Sequence, residues 1–354
     1  MTTDTEMEFV PPANPGDKLR RVLIIQFGPM RCFLEGMAAS AYIRRTHRSA
    51  HITLLTEPRF HEFGKACPYF NDVEVLTENT KAFVLKKLKS AKYEMLYDFQ
   101  NDKESLSIGK SLGIKLQSSI ANGVSHTYRA FAPIEHYTRR VADQLFCAGI
   151  AATDGGHIKR WTEAERPRSD FSWIRAAFRN SPRLEPAFFN LYEKYALIIP
   201  GGPLDGTEAS WSPQKFGQLA NKIAEAGLIP VIVGNPTQGQ AAQKINTICE
   251  KAVNLISRAD FFQIISIAQR AQFFVGGETG PTYLAASTNI PGIVLFRQGW
   301  SQEDEASLKT IWNPRTRLGE LAPKGGNIIA NTAENIDTIE TENVWQSILG
   351  LNVL

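Results

Sequence analysis

Hydrophobic and polar positions along this chain fall into a pattern that occurs twice. The segment RRVLIIQF (20–27) is a short unbroken apolar run with β-branched residues, which predicts a strand buried on both faces. In FLEGMAASAYIRRTH the residues Leu34, Met37, Ala38, Ala41 and Ile43 recur at helical spacing. AHITLLT and DVEVLT predict the next two strands, KAFVLKKLKSAKY a helix and YEMLYDF a further strand. Strand and helix alternate, as a parallel sheet requires.

Between Ile120 and Pro200 the pattern loosens, leaving a helix at EHYTRRVADQLFCAGI and a Pro- and Arg-rich span, TEAERPRSDFSWIRAAFRNSPRLEP, that reads as a linker. The alternation then restarts. KYALIIPGG predicts a buried strand ending in glycines. SPQKFGQLANKIAEAG predicts a helix with Ser212 as N-cap, Pro213 in the first turn, one apolar face of Phe216, Leu219, Ala220 and Ile223, and Gly227 as its stop. LIPVIVG and KAVNLI predict strands, and DFFQIISIAQRA a helix whose Asp260 and Gln263 stand at capping-box spacing. QFFVGG and IPGIVLF follow as strands, and TIETENVWQSILGLNVL as a last helix.

The fold class expected is therefore α/β, with two doubly wound Rossmann-like domains. The expected organisation is a flexible N-terminal tail over 1–17, an N-terminal α/β domain with its linker over 18–190, a second α/β domain over 191–335, and a C-terminal helix over 336–354. A length of 354 residues suits two such domains.

Composition narrows the function. With 43% hydrophobic and 21% charged residues the chain is ordinarily globular. A net charge of +3 is too mild to imply nucleic acid, although LKKLKSAKY and IRRTHR concentrate cations, either as solvated helix faces or as a binding patch. Cys32, Cys67, Cys147 and Cys249 lie far apart, with no C-x-x-C and no metal-ligand spacing, and read as reduced thiols of a cytosolic protein. The first residues lack a basic start followed by an apolar run, and no stretch has the length needed to cross a bilayer, so a soluble protein is expected.

The stretch FVGGETGPTYLAAS (274–287) carries the most chemistry. An apolar strand meets two glycines, a carboxylate, a hydroxyl and Gly-Pro before an Ala-rich helix. Gly276 and Gly277 allow close approach, Thr279 offers a hydroxyl, and a helix beginning near Pro281 presents backbone N–H groups to an anion. Either a phosphate-bearing ligand sits there, or the segment is a glycine-rich turn with a capping Thr or Glu.

The order of elements, together with AHITLLTEPRF, CPYFNDVEVL, YEMLYDFQ, IIPGG, WSPQKFGQLA and FVGGETGPTYLAASTNIPGIVLF, resembles glycosyltransferase family 9, the lipopolysaccharide heptosyltransferases, from about Arg21 to Arg297. The family has Asp-Ser/Thr-Gly-Pro followed after one residue by His-Leu-Ala at this strand end. Glu278, Thr279, Gly280, Pro281, Tyr283, Leu284 and Ala285 fill those places. The resemblance implies a GT-B fold whose two domains face a central cleft, with acceptor on the N-terminal side and nucleotide sugar on the C-terminal side. In that fold the last helix often crosses back to the first domain. It implies a donor site at Glu278, Thr279, Gly280, Pro281 and Tyr283, joined by Gly201, Gly202, Thr207 and Arg297, and acceptor-side residues Gly28, Arg31, Asp98 and Gln100.

The chain departs from the family at three further points. Where the family has Gly-Asp at the start of the first helix, with the Asp as general base, this chain has Arg31-Cys32. Glu35 is the nearest carboxylate, about one turn on, and either serves as the base or is a surface carboxylate. Tyr283 stands for the family His. Before Trp211, where members carry Lys or Arg for the donor phosphates, this chain has Glu208, Ala209 and Ser210. Asp98 either touches acceptor or caps the segment after its strand.

The reaction implied is metal-independent, inverting transfer of a heptose or related sugar from a nucleotide diphosphate, ADP-heptose by resemblance, to a lipopolysaccharide-core or similar lipid-linked glycan. No cofactor is implied beyond the donor, no nucleic acid, and peripheral contact with the cytoplasmic face of the inner membrane. The competing reading is a non-catalytic relative that binds sugar, nucleotide or a partner enzyme. A dinucleotide enzyme would need G-x-G-x-x-G after the first strand, and IIQFGPMRCFLEG lacks it.

Overall fold

The computed structural model describes residues 11–128, 137–154, 157–162, 165–178, 181–201, 210–297 and 328–354. The chain divides into two compact units, one made of Met1–Gly28, Glu35–Pro133 and Tyr137–Arg168, the other of Pro29–Leu34, Ile134–His136 and Ser169–Leu354.

The first unit is built on six strands, β1 Arg21–Ile25, β2 His51–Thr56, β3 Asp72–Val75, β4 Met95–Asp98, β5 Leu116–Ser119 and β6 His126–Thr127. They pair in parallel in the order β3-β2-β1-β4-β5-β6. The connecting helices are α1 Met30–Thr46, whose residues as far as Leu34 cluster with the other unit, α2 His61–Ala66, α3 Lys81–Ser90, α4 Lys103–Leu112 and α5 Tyr137–Cys147. A short antiparallel pair follows, β7 Ala152–Asp154 with β8 His157–Lys159. On one face of the sheet Leu23, Ile25, Leu55 and Leu96 pack with Val84 and Leu88 of α3 and Ile108 of α4.

The His47 ring, between the end of α1 and β2, is buried against Gly16 and Tyr97. Its Nδ1 lies 2.6 Å from the Gly16 carbonyl and its Nε2 2.7 Å from the Tyr97 hydroxyl. A carbonyl only accepts, so Nδ1 carries the proton and the Tyr97 O–H donates to Nε2. The Asn14 amide donates to Tyr97 Oη (3.0 Å) and to the Ala148 carbonyl (2.6 Å). Within the stretch expected to be a flexible tail, Asn14 and Gly16 are hydrogen-bonded to Tyr97, Ala148 and His47 by part-buried bonds.

The second unit repeats the plan. Strands β9 Tyr195–Ile199, β10 Ile229–Ile232, β11 Val253–Asn254, β12 Phe274–Gly277, β13 Gly292–Arg297 and β14 Ile328–Ala333 pair in parallel in the order β11-β10-β9-β12-β13-β14. Its helices are α6 Ser172–Ala177, α7 Pro213–Glu225, α8 Gly239–Ile248, α9 Phe261–Ala268, α10 Gly280–Ala286 and α11 Thr341–Gly350. Phe216, Leu219, Ala220 and Ile223 of α7 are fully buried against Ile198, Ile232, Val275, Ile293 and Leu295. Burying each large apolar side chain stabilises by roughly 1.5–3 kcal/mol.

Capping agrees with the sequence at one helix and differs at another. The α9 capping box forms as expected: Gln263 N donates to Asp260 Oδ1 and Asp260 N to Gln263 Oε1, both at 2.9 Å. Ser212 precedes α7 but makes no side-chain cap. Its backbone N–H instead donates to Asp337 Oδ1 (2.7 Å), and Trp211 Nε1–H donates to the Ile339 carbonyl (2.8 Å). The C-terminal segment is thus bonded to α7, and Val344 and Ile348 of α11 enter the second core.

The span 169–190, read as linker, clusters with the second unit, because Ser266 Oγ–H and Gln263 Nε2–H of α9 donate to the carbonyls of Leu184 and Arg183. Cys67, Cys147 and Cys249 are buried free thiols, and burial pushes Cys67 up to about 12.

Candidate functional site

Both sheets share one strand order, which reverses between β1 and β4 in the first and between β9 and β12 in the second. Open α/β sheets bind ligands outside the carboxyl ends of the strands at such a reversal. In the second unit β9 ends there at Ile199, leading to Gly201, and β12 at Gly277, leading to Glu278 and Thr279.

The β12–α10 turn is fixed from within. A Cβ on Gly276 would stand 2.6 Å from Thr282 Oγ1 and 2.9 Å from the Ile199 Cβ, so only glycine lets α10 close onto the strands. Thr282 Oγ1–H donates to the Gly277 carbonyl (2.6 Å), and Thr279 N–H to the same oxygen (2.9 Å). With the Thr282 proton used, the 3.1 Å contact between the two threonine hydroxyls has Thr279 as donor.

Thr279 occupies the N-cap position of α10 in an extended conformation without capping it through its side chain, and is 7% exposed. Tyr283, also 7% exposed, donates its O–H to Glu278 Oε1 at 2.8 Å. A carboxylate held by a phenol beside a threonine hydroxyl is chemistry suited to the hydroxyls and phosphates of a sugar nucleotide.

A residue not singled out from the sequence stands at the ends of β9 and β10. A Cβ on Gly201, whose φ is +109°, would lie 2.1 Å from Gln238 Nε2, and a Cβ on Gly234 would lie 2.2 Å from Gln238 Oε1. The Gln238 amide therefore occupies the space two glycines leave at the ends of β9 and β10, while its Oε1 accepts from Asn235 N–H (2.9 Å). The sequence signal was Gly-Asn-Pro with a Gln at capping-box spacing from Asn235. Gly202 and Thr207 lie outside the described residues, as does the side chain of Arg297, the last residue of β13.

In the first unit the reversal is occupied by the loop after β1. Three successive backbone N–H groups are each assigned: Gln26 to the Leu55 carbonyl (3.0 Å), Phe27 to Gln100 Oε1 (3.2 Å) and Gly28 to Glu57 Oε1 (2.9 Å). The Gly28 carbonyl accepts from an Arg59 terminal N–H (2.5 Å), and Arg59 Nε closes the ring on Glu57 Oε2 (2.7 Å). Gly28 has φ +84°, the left-handed region that favours glycine. Gln100 Nε2–H donates onward to Asp102 Oδ2 (2.9 Å). Glu57 and Arg59 were not legible as site residues, because only the pairing of β2 with β1 brings them to Gly28.

Asp98 is 1% exposed, and its Oδ1 accepts from Asn101 N–H at 2.9 Å. That bond makes Asp98 a cap of the segment after its strand. Burial pushes its carboxyl up to about 6, against the Asn101 N–H bond that favours the charged form. Arg31 and Glu35 fall in α1, and their side chains lie outside the described residues. His136, Trp300 and Trp312 also lie outside them.

The family description "Glycosyltransferase family 9 (heptosyltransferase)" matches residues 82–309. Comparison with curated proteins gives no match. Among solved structures the chain superposes on the glycosyl transferase family 9 protein from Veillonella parvula with a TM-score of 0.71 at 12% identity, covering 94% of this chain and 97% of that one. It superposes on E. coli ADP-heptose lps heptosyltransferase II with a TM-score of 0.68 at 14% identity, over 94% and 98% of the two chains. For E. coli heptosyltransferase WaaC with ADP the TM-score is 0.68 at 15% identity, over 93% and 99%. At these identities the superpositions establish a shared fold.

Proposed function

The chain belongs to glycosyltransferase family 9, and from that membership we propose that it transfers a heptose or related sugar from a nucleotide diphosphate to a lipopolysaccharide-core or similar glycan. The observation that carries the reading is the β12–α10 turn, where the Tyr283-held carboxylate of Glu278 and the buried hydroxyl of Thr279 stand at the strand reversal. ADP is the favoured nucleotide, because the E. coli relatives carry ADP or ADP-heptose in their descriptions.

In this reading Glu278 binds donor sugar hydroxyls. Thr279, Gly280 and Pro281 line the diphosphate, with Gly201, Gly202, Thr207 and Arg297 completing the donor site. Gly28, Arg31 and Gln100 lie on the acceptor side. The acceptor hydroxyl gives its proton to Glu35 and bonds to the anomeric carbon. The bond from that carbon to the diphosphate oxygen breaks with inversion, and the nucleoside diphosphate leaves with the electron pair.

A lipid-borne acceptor calls for a membrane-facing surface, and the exposed side chains of α3 support that role for this helix. Phe83 is 71% exposed, and Lys86, Lys89 and Lys92 are exposed on or beside the same helix. Lys87 is engaged with Glu74 (2.5 Å) and Lys81 with Glu104 (2.6 Å). The second basic stretch fits less well, since Arg44 is spent on the carbonyls of Tyr69 (3.0 Å) and Ala50 (2.8 Å) and on Asn71 Oδ1 (2.6 Å). Among the described residues no helix is long and apolar enough to cross a membrane.

One observation favours the alternative of a non-catalytic, ligand-binding relative: Arg31-Cys32 stands where the family carries Gly-Asp. Calorimetric titration with ADP, UDP, GDP and CDP on wild type, Thr279→Ala and Glu278→Ala, followed by a transfer assay with ADP-heptose and heptose-deficient lipopolysaccharide, decides between them. Selective nucleotide binding that Thr279→Ala loses, with sugar transfer that Glu278→Ala loses, supports the enzyme. Selective binding without transfer supports the alternative, and no binding removes the donor site.

A further inference from the structure

We propose that Glu57 and Arg59 are positioning residues for the acceptor-side loop, holding Gly28 so that the first turn of α1 is set for transfer; the proposal rests on the glycosyltransferase reading. The two side chains grip both polar groups of a single residue, Glu57 Oε1 taking its N–H (2.9 Å) and Arg59 its carbonyl (2.5 Å). They also pair with each other at 2.7 Å. Gly28, at φ +84°, stands two residues before α1 begins at Met30, the helix that carries Arg31 and Glu35.

The ring is not needed to close the sheet. The β1–β2 ladder runs Arg21↔His51 to Ile25↔Leu55, and the next bond, Gln26 N–H to the Leu55 carbonyl, is backbone to backbone. Beyond it the backbone has no strand partner, and side chains take over: Gln100 for Phe27, then Glu57 and Arg59 for Gly28. The side chains of Glu57 and Arg59 are 32% and 49% exposed, and ion pairs so exposed contribute little to global stability. A closed, geometrically complementary ring at the carboxyl ends of β1 and β2 therefore acts where the site is, rather than where the fold is held.

The planar guanidinium matters beyond its charge. Arg59 uses Nε on Glu57 and a terminal nitrogen on Gly28, two directions that a lysine ammonium on a single stem does not reproduce together. Arg59→Lys is therefore a test of the ring rather than of a positive charge at the site.

The experiment measures steady-state transfer from ADP-heptose to heptose-deficient lipopolysaccharide, ADP affinity by calorimetry, thermal midpoint, and amide hydrogen exchange over residues 24–36. It compares the full-length wild type with Glu57→Gln, Arg59→Lys and Arg59→Ala. The expected result is a fall in kcat of about 10-fold or more, with ADP affinity and thermal midpoint unchanged and faster exchange at Gly28. Millimolar guanidinium should restore part of the rate to Arg59→Ala and leave wild type unaffected. Faster exchange with unchanged kinetics overturns the proposal, as does a rate loss that tracks a lowered thermal midpoint or that Arg59→Lys escapes. A wild type that transfers no sugar overturns the glycosyltransferase reading itself, and this role with it.

Discussion

The hydroxyl of Tyr283 donates to Glu278 Oε1 at 2.8 Å, linking a residue of α10 to the carboxylate that immediately follows β12. Hydrogen bonds to charged groups are worth about 1.5–3 kcal/mol. Tyr283→Phe is expected to lower kcat/KM for a sugar nucleotide about 10- to 100-fold, while affinity for the free nucleotide, which has no sugar to meet Glu278, stays within about 2-fold of wild type by calorimetry. Glu278→Asp withdraws the carboxylate by one methylene and breaks the same bond. The double variant Glu278→Asp/Tyr283→His, carrying the family's residue types, should recover activity that each single change loses.

The Gln238 amide between Gly201 and Gly234 gives a stability cycle. Gly234→Ala brings a methyl 2.2 Å from Gln238 Oε1 and should destabilise by about 1–3 kcal/mol. Adding Gln238→Ala opens the space and should return most of that loss, measured as urea midpoints. Gly201→Ala should not be rescued in this way, because at φ +109° the strain is in its own backbone.

His47 makes the first unit sensitive to mild acid. Burial holds its proton affinity below the usual value, Arg44 adding to the effect while the Gly16 carbonyl and Asp17 oppose it. The unfolded ring takes up a proton near pH 6.5 and the folded ring resists, so the unfolded state binds more protons and stability falls as pH drops through about 6.5. Thermal midpoints between pH 7.5 and 5.5 should decline in wild type with a steeper slope than in His47→Gln.

Asp98 acts in the opposite direction. Its folded carboxyl titrates near 6, above the unfolded value, so its contribution is fully present at low pH and is lost as pH rises through about 6. Asp98→Asn keeps an oxygen for Asn101 N–H and removes the buried charge. At pH 7.5 it should be more stable than wild type by about 1–3 kcal/mol, and the gap should narrow as pH falls through about 6 and close below about 4 in chemical denaturation.

The α/β alternation was legible because strands buried on both faces leave unbroken apolar runs, as at β1 and β9, and because α7 and α9 carry an apolar face and stop or cap signals of their own. Helix α4 was not. In KESLSIGKSL the buried positions are Ser105, Ile108 and Gly109, and its box pairs Asp102 with Ser105 rather than with a Glu or Gln. The turn at Glu278 and Thr279 could be read because strand, glycines and helix are contiguous. The ring around Gly28 could not, since its members come from positions 28, 57 and 59 and meet only through strand pairing. Asp98 reads identically as ligand or cap in one dimension, and its bond from Asn101 N–H appears only in the fold.

The repeated strand order divides the labour between two kinds of sequence. Strand registers such as Phe274↔Leu197 and Ile25↔Leu55 are written in backbone hydrogen bonds and apolar bulk, which many sequences satisfy. The residues proposed for recognition lie beyond the ladders, in the loops and first helical turns that leave the carboxyl ends after pairing has finished. Those loops are free to drift without unravelling what carries them. The exchange of a family Gly-Asp for Arg31-Cys32, and of Asp and His for Glu278 and Tyr283, are changes of that kind. A lineage can revise what such a protein handles by respelling a handful of turns, and the scaffold registers no difference.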